Sequence, residues 1–69
     1  MPKETFLNLS EGKKEIIINA AKREFARVPF QETSIKNIVE DAGIARGSFY
    51  QYFESKEDLL EYIISNHAL

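Results

Sequence analysis

A short run of the chain, from Arg46 to Gln51, carries several hydrogen-bond donors and no negative charge. Arg46 can make paired bonds to O6 and N7 of guanine, the commonest specific contact to a base. Ser48, Tyr50 and Gln51 add donors for phosphate oxygens and base edges. Gly47 costs a helix about 1 kcal/mol relative to alanine. A backbone that approaches another surface closely would explain why glycine stands there despite this cost. These residue types at this spacing predict recognition of a nucleic acid.

Helical spacing separates these donors from an apolar face. At about 100° per residue, Phe49, Tyr52 and Phe53 fall on one arc, which is expected to face the core, and Gly47 falls opposite them. The pattern predicts a helix over about residues 45–53. Base contacts usually come from the N-terminal end of such a recognition helix, which lies in the major groove.

A second short helix is predicted immediately before that run, over residues 34–42. Its apolar side chains stand at i, i+3, i+4 and i+7, and they are Ile35, Ile38, Val39 and Ala42. Thr33 or Ser34 serves as the N-cap, and Gly43 tolerates the left-handed conformation of a sharp turn. Two short helices joined by a three-residue turn match the helix-turn-helix, although helical hairpins that do not bind DNA share the pattern.

Two further helices complete the predicted fold. One spans about residues 10–28, from the N-cap Ser10 to the residue before Pro29, which disfavours helical geometry at its predecessor. The other begins at about Ser55, because Ser55 with Asp58 three residues later resembles a capping box with Asp in place of Glu. Their apolar stripes are Ile17, Ala20, Ala21, Phe25 and Val28, then Leu59, Leu60, Ile63 and Ile64, and the second stripe is expected to be buried. Residues 1–69 are therefore expected to form one all-α domain, a small homeodomain-like helix-turn-helix bundle of three helices plus the start of a fourth.

Composition excludes several classes of site. The chain has no Cys and a single His, His67, which excludes a disulfide framework and a Cys/His zinc site. No phosphate-binding loop, catalytic triad or metal-ligand spacing is present, so no enzyme activity and no cofactor are expected. The longest apolar run is Ile16–Ile18, far short of the roughly 20 residues of a membrane span. Without a signal sequence, a cytoplasmic location and no membrane partner are expected.

The formal net charge of −2 opposes a nucleic-acid partner, because such domains are usually basic. The charge is unevenly distributed, however. Residues 1–53 hold eight basic and seven acidic side chains, and residues 54–69 hold one basic and four acidic ones. Screening limits phosphate attraction to about 8 Å at physiological salt, so the charge around the predicted recognition helix matters more than the total.

The stretch from Thr33 to Ile44, followed by Gly47 to Leu60, resembles the DNA-binding domain of the tetracycline-repressor (TetR/AcrR) family. Its most specific part is the block Tyr50-x-Tyr52-Phe53-x-x-Lys56, and the similarity covers about residues 10–64. The resemblance implies a homodimeric bacterial or archaeal regulator, generally a repressor, that binds a palindromic operator in double-stranded DNA at the nucleoid. It also implies a larger C-terminal domain for inducer binding and dimerisation. We expect this chain to lack that domain, and hence not to bind the inducer.

Residue roles follow from the same resemblance. The residues expected to contact DNA are Thr33, Ser34, Ala45, Arg46, Gly47, Ser48, Tyr50, Gln51, Tyr52 and Lys56. Thr33 and Ser34 match a backbone clamp on phosphate, Arg46 and Gly47 match base-contacting positions, and Ser48, Tyr50, Tyr52 and Lys56 match phosphate or sugar contacts. Two positions depart from the family pattern. Pro29 stands where a glycine often ends the first helix, and Ala45 where Ser or Thr often caps the third.

A different class of function is compatible with the same fold. A small helical domain can use an exposed surface around Tyr50 and Gln51 to bind another protein, with no affinity for DNA. The salt dependence of binding to mixed duplex DNA separates the two interpretations, because phosphate contacts make affinity fall steeply with salt.

Overall fold

Five α-helices and one turn of 3-10 helix make up the computed structural model, which describes residues 2–66. In chain order these are α1 Glu4–Leu7, α2 Glu11–Arg27, the 3-10 turn Phe30–Glu32, α3 Ile35–Ala42, α4 Arg46–Tyr52 and α5 Lys56–Asn66. No strand occurs within this range, which confirms the all-α class. His67 lies outside the described residues.

Serine side chains begin three of the helices, as their spacing predicts. Ser10 Oγ accepts from the Lys13 N–H of α2 at 3.3 Å, and Ser34 Oγ accepts from the Asn37 N–H of α3 at 3.2 Å. Each bond satisfies one of the backbone donors that a helix leaves open in its first turn. Ser34 rather than Thr33 is thus the N-cap of α3.

The start of α5 is capped from two sides. Ser55 Oγ accepts from the Asp58 N–H at 3.1 Å, and the Asp58 carboxylate accepts from the Glu54 N–H, also at 3.1 Å. A standard capping box would return the second bond to the N-cap residue itself. Here it reaches one residue further back, so it also fixes the segment that links α4 to α5.

Gly43 makes the turn between α3 and α4. Its φ of +74° lies in the left-handed region, which glycine enters without the steric cost of a Cβ. The N–H groups of Gly43 and Ile44 donate to the carbonyls of Glu40 and Val39 at 3.3 and 3.0 Å. These bonds close the end of α3 and set the direction in which α4 leaves.

The sequence pattern did not predict α1, because four residues are too few to show a helical period. Its buried Phe6 explains why the segment is ordered. The ring lies 4.7 Å from that of Phe53 and 5.4 Å from that of Tyr62, measured between centroids. The N-terminal segment is therefore packed onto α4 and α5.

One core joins all five of these helices. Its buried apolar members are Phe6, Ile17, Ile18, Ala20, Ala21, Ile38, Val39, Phe49, Phe53, Leu59 and Ile63. The expectation that Ile64 is buried is wrong, since its side chain is 63% exposed, and Leu60 is only half-buried. Leu59 and Ile63 stand four residues apart on one line of α5, and Ile64 lies about 100° away from it. None of the described helices is both long and apolar enough to cross a membrane.

Candidate nucleic-acid interface

The two faces of α4 differ as the spacing predicts. Phe49 and the following Phe53 are fully buried, whereas Arg46, Gly47 and Gln51 are exposed. Tyr50 is 44% exposed, and its ring meets the edge of the Phe49 ring at 5.3 Å between centroids. The helix presents a polar surface without a carboxylate, backed by a fixed aromatic core.

Arg46 occupies the first position of α4 and forms no hydrogen bond or ion pair with any described residue. Ala45 is the N-cap and supplies no side-chain acceptor, so the first turn lacks the bond that Ser or Thr would make there. Open backbone donors and a free guanidinium therefore lie at the same end of the helix, where both favour an anion.

An open cleft of about 610 Å³ lies where the N-terminus of α3, the outer face of α4 and the start of α5 meet. Its lining residues are Thr33, Ser34, Ile35, Lys36, Arg46, Tyr50, Glu54, Ser55, Lys56 and Glu57. Five of the residues expected to contact DNA thus share one concave surface: Thr33, Ser34, Arg46, Tyr50 and Lys56.

The charge of the cleft is mixed. Lys36, Arg46 and Lys56 line it together with Glu54 and Glu57. The Glu54 carboxylate is 2.9 Å from the Lys3 ammonium, which offsets its charge. Lys36 is mostly exposed, and its nearest carboxylate is 4.0 Å away on the same helix, a pair that contributes little in water. The positive groups on the α3 and α4 sides are therefore the ones available to a ligand.

Thr33 is buried, with 6% of its surface exposed. Its hydroxyl donates to the carbonyl of Phe30 at 2.6 Å. The side chain thus closes the 3-10 turn that follows Pro29, the position at which the chain departs from the family pattern. The Thr33 hydroxyl is therefore bonded within the protein.

Lys56 is also directed at this turn. Its ammonium donates to the carbonyls of Phe30 and Thr33 at 3.0 and 2.9 Å, with a longer bond of 3.4 Å to that of Gln31. It lies 4.9 Å from the centroid of the Phe30 ring. Since an ammonium has three donors, all of them are occupied here. Lys56 therefore contributes a positive charge to the cleft, while its hydrogen bonds stabilise the 3-10 turn.

The remaining expected residues lie outside the cleft. Gln51 is exposed and Ser48 is half-buried on α4. Tyr52 is half-buried and packs edge-on against the ring of Phe6, 6.1 Å between centroids. It lines a different recess, of about 310 Å³, beside Ile44. Tyr52 therefore belongs in large part to the core, and the structure does not bring it together with Arg46.

Sequence reasoning missed a buried acid that holds α2 and α3 together. Glu24 is 6% exposed and accepts two bonds from Arg27, at 3.0 and 2.9 Å. It also accepts from the Ser34 N–H at 2.9 Å and from the side-chain amide of Asn37 at 3.3 Å. The bonds from Arg27 lower the pKa of Glu24, and those from Ser34 and Asn37 lower it further, whereas burial raises it. The net result is a pKa of about 2.

A signal for Glu24 exists in the sequence. It stands four residues after Ala20 and three after Ala21, and so interrupts the buried stripe of α2 with a carboxylate. An acid at such a position requires a charged or hydrogen-bonding partner inside the fold. The sequence could not say which partner, because Ser34 and Asn37 lie beyond the turn.

Comparisons with known proteins give a consistent result. Residues 17–63 match the family described as "Bacterial regulatory proteins, tetR family". A solved TetR family transcriptional regulator from Chloroflexus aurantiacus J-10-FL superposes with a TM-score of 0.88 and 49% identity, over 94% of this chain and 30% of that one.

Two curated relatives agree. YvdT of Bacillus subtilis (strain 168), described as an uncharacterized HTH-type transcriptional regulator, is 41% identical over 66 residues, which are 96% of this chain and 31% of YvdT. DhaS of Lactococcus lactis subsp. lactis (strain IL1403), a dhaKLM operon transcriptional activator, is 33% identical over 63 residues, 88% of this chain and 34% of DhaS. The chain spans about a third of the length of each of these proteins.

Proposed function

The chain belongs to the tetR family of bacterial regulatory proteins, and from that premise we propose that it reads a specific sequence in double-stranded DNA, with α4 lying in the major groove. The matched residues 17–63 include all of α3 and α4. A groove about 12 Å wide admits one α-helix, and the second helix of a helix-turn-helix is the one that enters.

The observation that carries this proposal is the outer arc of α4. It has a free guanidinium at Arg46, an exposed backbone at Gly47 and an exposed amide at Gln51, with no acid on the helix. A Cβ added to Gly47 meets nothing within 4 Å, so the fold itself does not require glycine there. Close approach of an outside surface supplies the missing reason.

Individual roles follow from position. Arg46 and Gln51 contact base edges, and Ser48 and Tyr50 reach phosphate or sugar. Ser34 and Lys36 meet a phosphate at the N-terminus of α3, where backbone donors favour an anion.

The other four expected residues act less directly. Thr33 and Lys56 hold the 3-10 turn beside the N-terminus of α3, and Lys56 adds its positive charge near the phosphate proposed to bind at that terminus. Ala45 leaves the first turn of α4 open, and Tyr52 anchors the helix to the core.

For the intact protein we propose a homodimer on a palindromic operator in the bacterial cytoplasm, at the nucleoid, with half-sites about one helical turn, roughly 34 Å, apart. The sign of regulation proposed is repression. The related DhaS is an activator, so repression has to be tested directly. The test measures transcription from the protein's own operator with and without the intact protein. Loss of expression on binding supports repression.

Selection of bound sites from a random duplex library tests the central proposal. We expect an enriched half-site, with affinity that falls steeply as salt rises. In Arg46→Ala, discrimination at one base position should fall by about 1–3 kcal/mol. Lys22→Ala, a change of the same charge on α2, should leave the selected sequence unchanged. An unenriched library, or wild type and Arg46→Ala with the same preferences, contradicts the assignment.

The alternative, a protein-interaction module that uses the surface around Tyr50, predicts a different result. Under that interpretation the chain has no measurable affinity for duplex DNA even at low salt. A single titration of mixed duplex at about 20 mM salt, where phosphate contacts are strongest, separates the two functions.

A further inference from the structure

The N-terminal segment supplies most of the hydrogen bonds at the end of α4. The last four carbonyls of a helix have no partner within it. In α4, the Phe49 carbonyl accepts from the Phe53 N–H at 2.9 Å. The other three carbonyls accept from residues almost 50 positions earlier in the chain.

Two residues make these three bonds. The Lys3 ammonium donates to the Tyr50 carbonyl at 2.7 Å, and the Lys3 N–H donates to the Tyr52 carbonyl at 2.8 Å. The Thr5 hydroxyl donates to the Gln51 carbonyl. The ammonium also places a positive charge at the negative end of the α4 dipole, which stabilises a helix.

By its own sequence α4 is a weak helix. It has seven residues, a glycine at its second position and no side-chain cap at its N-terminus. Isolated helices shorter than about 12 residues are marginal in water, and a missing cap costs about 1 kcal/mol more. The order of α4 therefore depends on contacts made elsewhere in the fold.

The segment that makes these contacts is itself anchored. Phe6 is fully buried against the rings of Phe53 and Tyr62, and the Lys3 ammonium lies 2.9 Å from the Glu54 carboxylate at the end of α4. Lys3 and Thr5 are thus held in place by two contacts, the buried ring of Phe6 on α1 and the ion pair of Lys3 with Glu54 in the link to α5.

We propose that Lys3 and Thr5 are positioning residues for DNA recognition, which fix the C-terminal half of α4 and with it the direction of Gln51 and Tyr50. This inference rests on the function proposed above. It assigns a role to a segment that precedes the helix-turn-helix. Its consequence is that sequence discrimination depends on residues 3–6, whereas the basal charge attraction to phosphate does not.

The test compares the double variant Lys3→Met/Thr5→Val with Lys13→Met. Methionine keeps the apolar stem of lysine and valine keeps the shape of threonine, so the double variant loses the two side-chain donors and the charge of Lys3, and it keeps the backbone bond from the Lys3 N–H. Lys13 is exposed on α2, and its side chain has no bond to any described residue, so its variant is matched in charge. Backbone hydrogen exchange is measured without DNA, and the ratio of affinities for the selected site and for mixed duplex is measured at one salt concentration.

We expect the amides of residues 50–53 to exchange about 10-fold faster in the double variant than in Lys13→Met, since each lost bond opens the end of the helix. The exchange of α2 amides should change far less. The affinity ratio should fall several-fold in the double variant alone, and Lys3→Arg with Thr5→Ser should restore it.

Three outcomes overturn the proposal: unchanged exchange in α4, equal acceleration in α2 and α4, or an unchanged affinity ratio in a double variant whose α4 exchanges faster. Should the double variant fail to fold, Thr5→Val alone removes a single bond and is judged by the same criteria. Failure of the proposed function is distinguishable, because wild type would then show no preference for any duplex, while the exchange measurement still reports on the bonds from Lys3 and Thr5 to α4.

Discussion

The carboxylate of Glu24, inside α2, accepts a hydrogen bond from the backbone N–H of Ser34, the N-cap of α3, at 2.9 Å. Ser34 in turn caps α3 through its hydroxyl. One buried acid therefore sets the position of the helix terminus that we propose as the phosphate contact. The ion pair with Arg27 holds that acid in its charged form.

Neutralising this acid should weaken the whole domain. We expect Glu24→Gln to lower the free energy of unfolding by about 2 kcal/mol, because the amide loses the ion pair and keeps only part of the acceptor capacity. Urea unfolding at neutral pH measures the change. Glu15→Gln, on the exposed side of the same helix, is the control and should stay within about 0.5 kcal/mol of wild type. Equal stability of the two variants contradicts this role for Glu24.

Stability should also fall in acid through the same group. The pKa of Glu24 is lowered from 4.5 to about 2 in the fold. The stabilisation is therefore complete above about pH 4.5 and is lost as the pH falls towards 2. It amounts to about 2–3 kcal/mol, after allowance for the exposed guanidinium of Arg27.

Unfolding measured from pH 6 to pH 2 tests this prediction. Glu24→Gln should show a shallower loss of stability than wild type between pH 4.5 and 2. The pKa of Asp41 is also lowered, by its bond to Arg23, but that contribution is the same in both proteins and cancels in the comparison. Parallel curves for the two proteins refute the assignment.

Substitution of Gly47 is expected to change the stability of the fold and the affinity for DNA in opposite directions. Because its position is open, Gly47→Ala should stabilise the fold by about 0.5–1 kcal/mol. The same methyl group should reduce affinity for the selected duplex by about 10-fold if the DNA backbone approaches there, a cost of about 1.4 kcal/mol. Gly12→Ala, at an equally open position in α2, should stabilise without loss of affinity. Unchanged affinity in Gly47→Ala removes close approach as the reason for glycine.

Lys56 combines a structural and an electrostatic role. Lys56→Met leaves the carbonyls of Phe30 and Thr33 without their charged donor, and we expect a loss of about 1–2 kcal/mol in unfolding free energy. Affinity for all duplexes should fall alike, with the salt slope smaller by up to about one unit. Lys36→Met, at an exposed position of α3, should reproduce the change in slope without the loss of stability. A sequence-dependent effect of Lys56→Met contradicts this reading.

Much of the helical framework could be predicted locally. The hydroxyls of Ser10, Ser34 and Ser55 each cap a helix by accepting from the backbone N–H three residues later, and the left-handed conformation of Gly43 follows from its lack of a Cβ. Phe49 and Phe53 are buried because helical spacing puts them on one line. Contacts within one turn depend only on neighbouring residues, so the pattern contains them.

Contacts between distant residues decided the features that local patterns could not predict. The Thr33 hydroxyl and the Lys56 ammonium have the chemistry of phosphate donors, yet both bond to the carbonyl of Phe30. Ile64 fits the apolar stripe of α5 but lies beyond the edge of the core. Residue type and spacing say what a group can bond to, and they do not say which carbonyl lies nearest to it.

The sequence by itself determined the helix-turn-helix and the polar arc of α4, because both arise from residues at most a few positions apart. Only the tertiary structure decided which of the groups expected to contact DNA are free of partners within the described part of the protein and what holds α4 in place. Arg46 remains free, Lys56 is engaged, and Lys3 and Thr5 complete the end of a helix that begins more than 40 residues later. Such partners are chosen by the folded path of the chain, which brings donors and orphaned carbonyls within 3 Å of one another at long sequence separation.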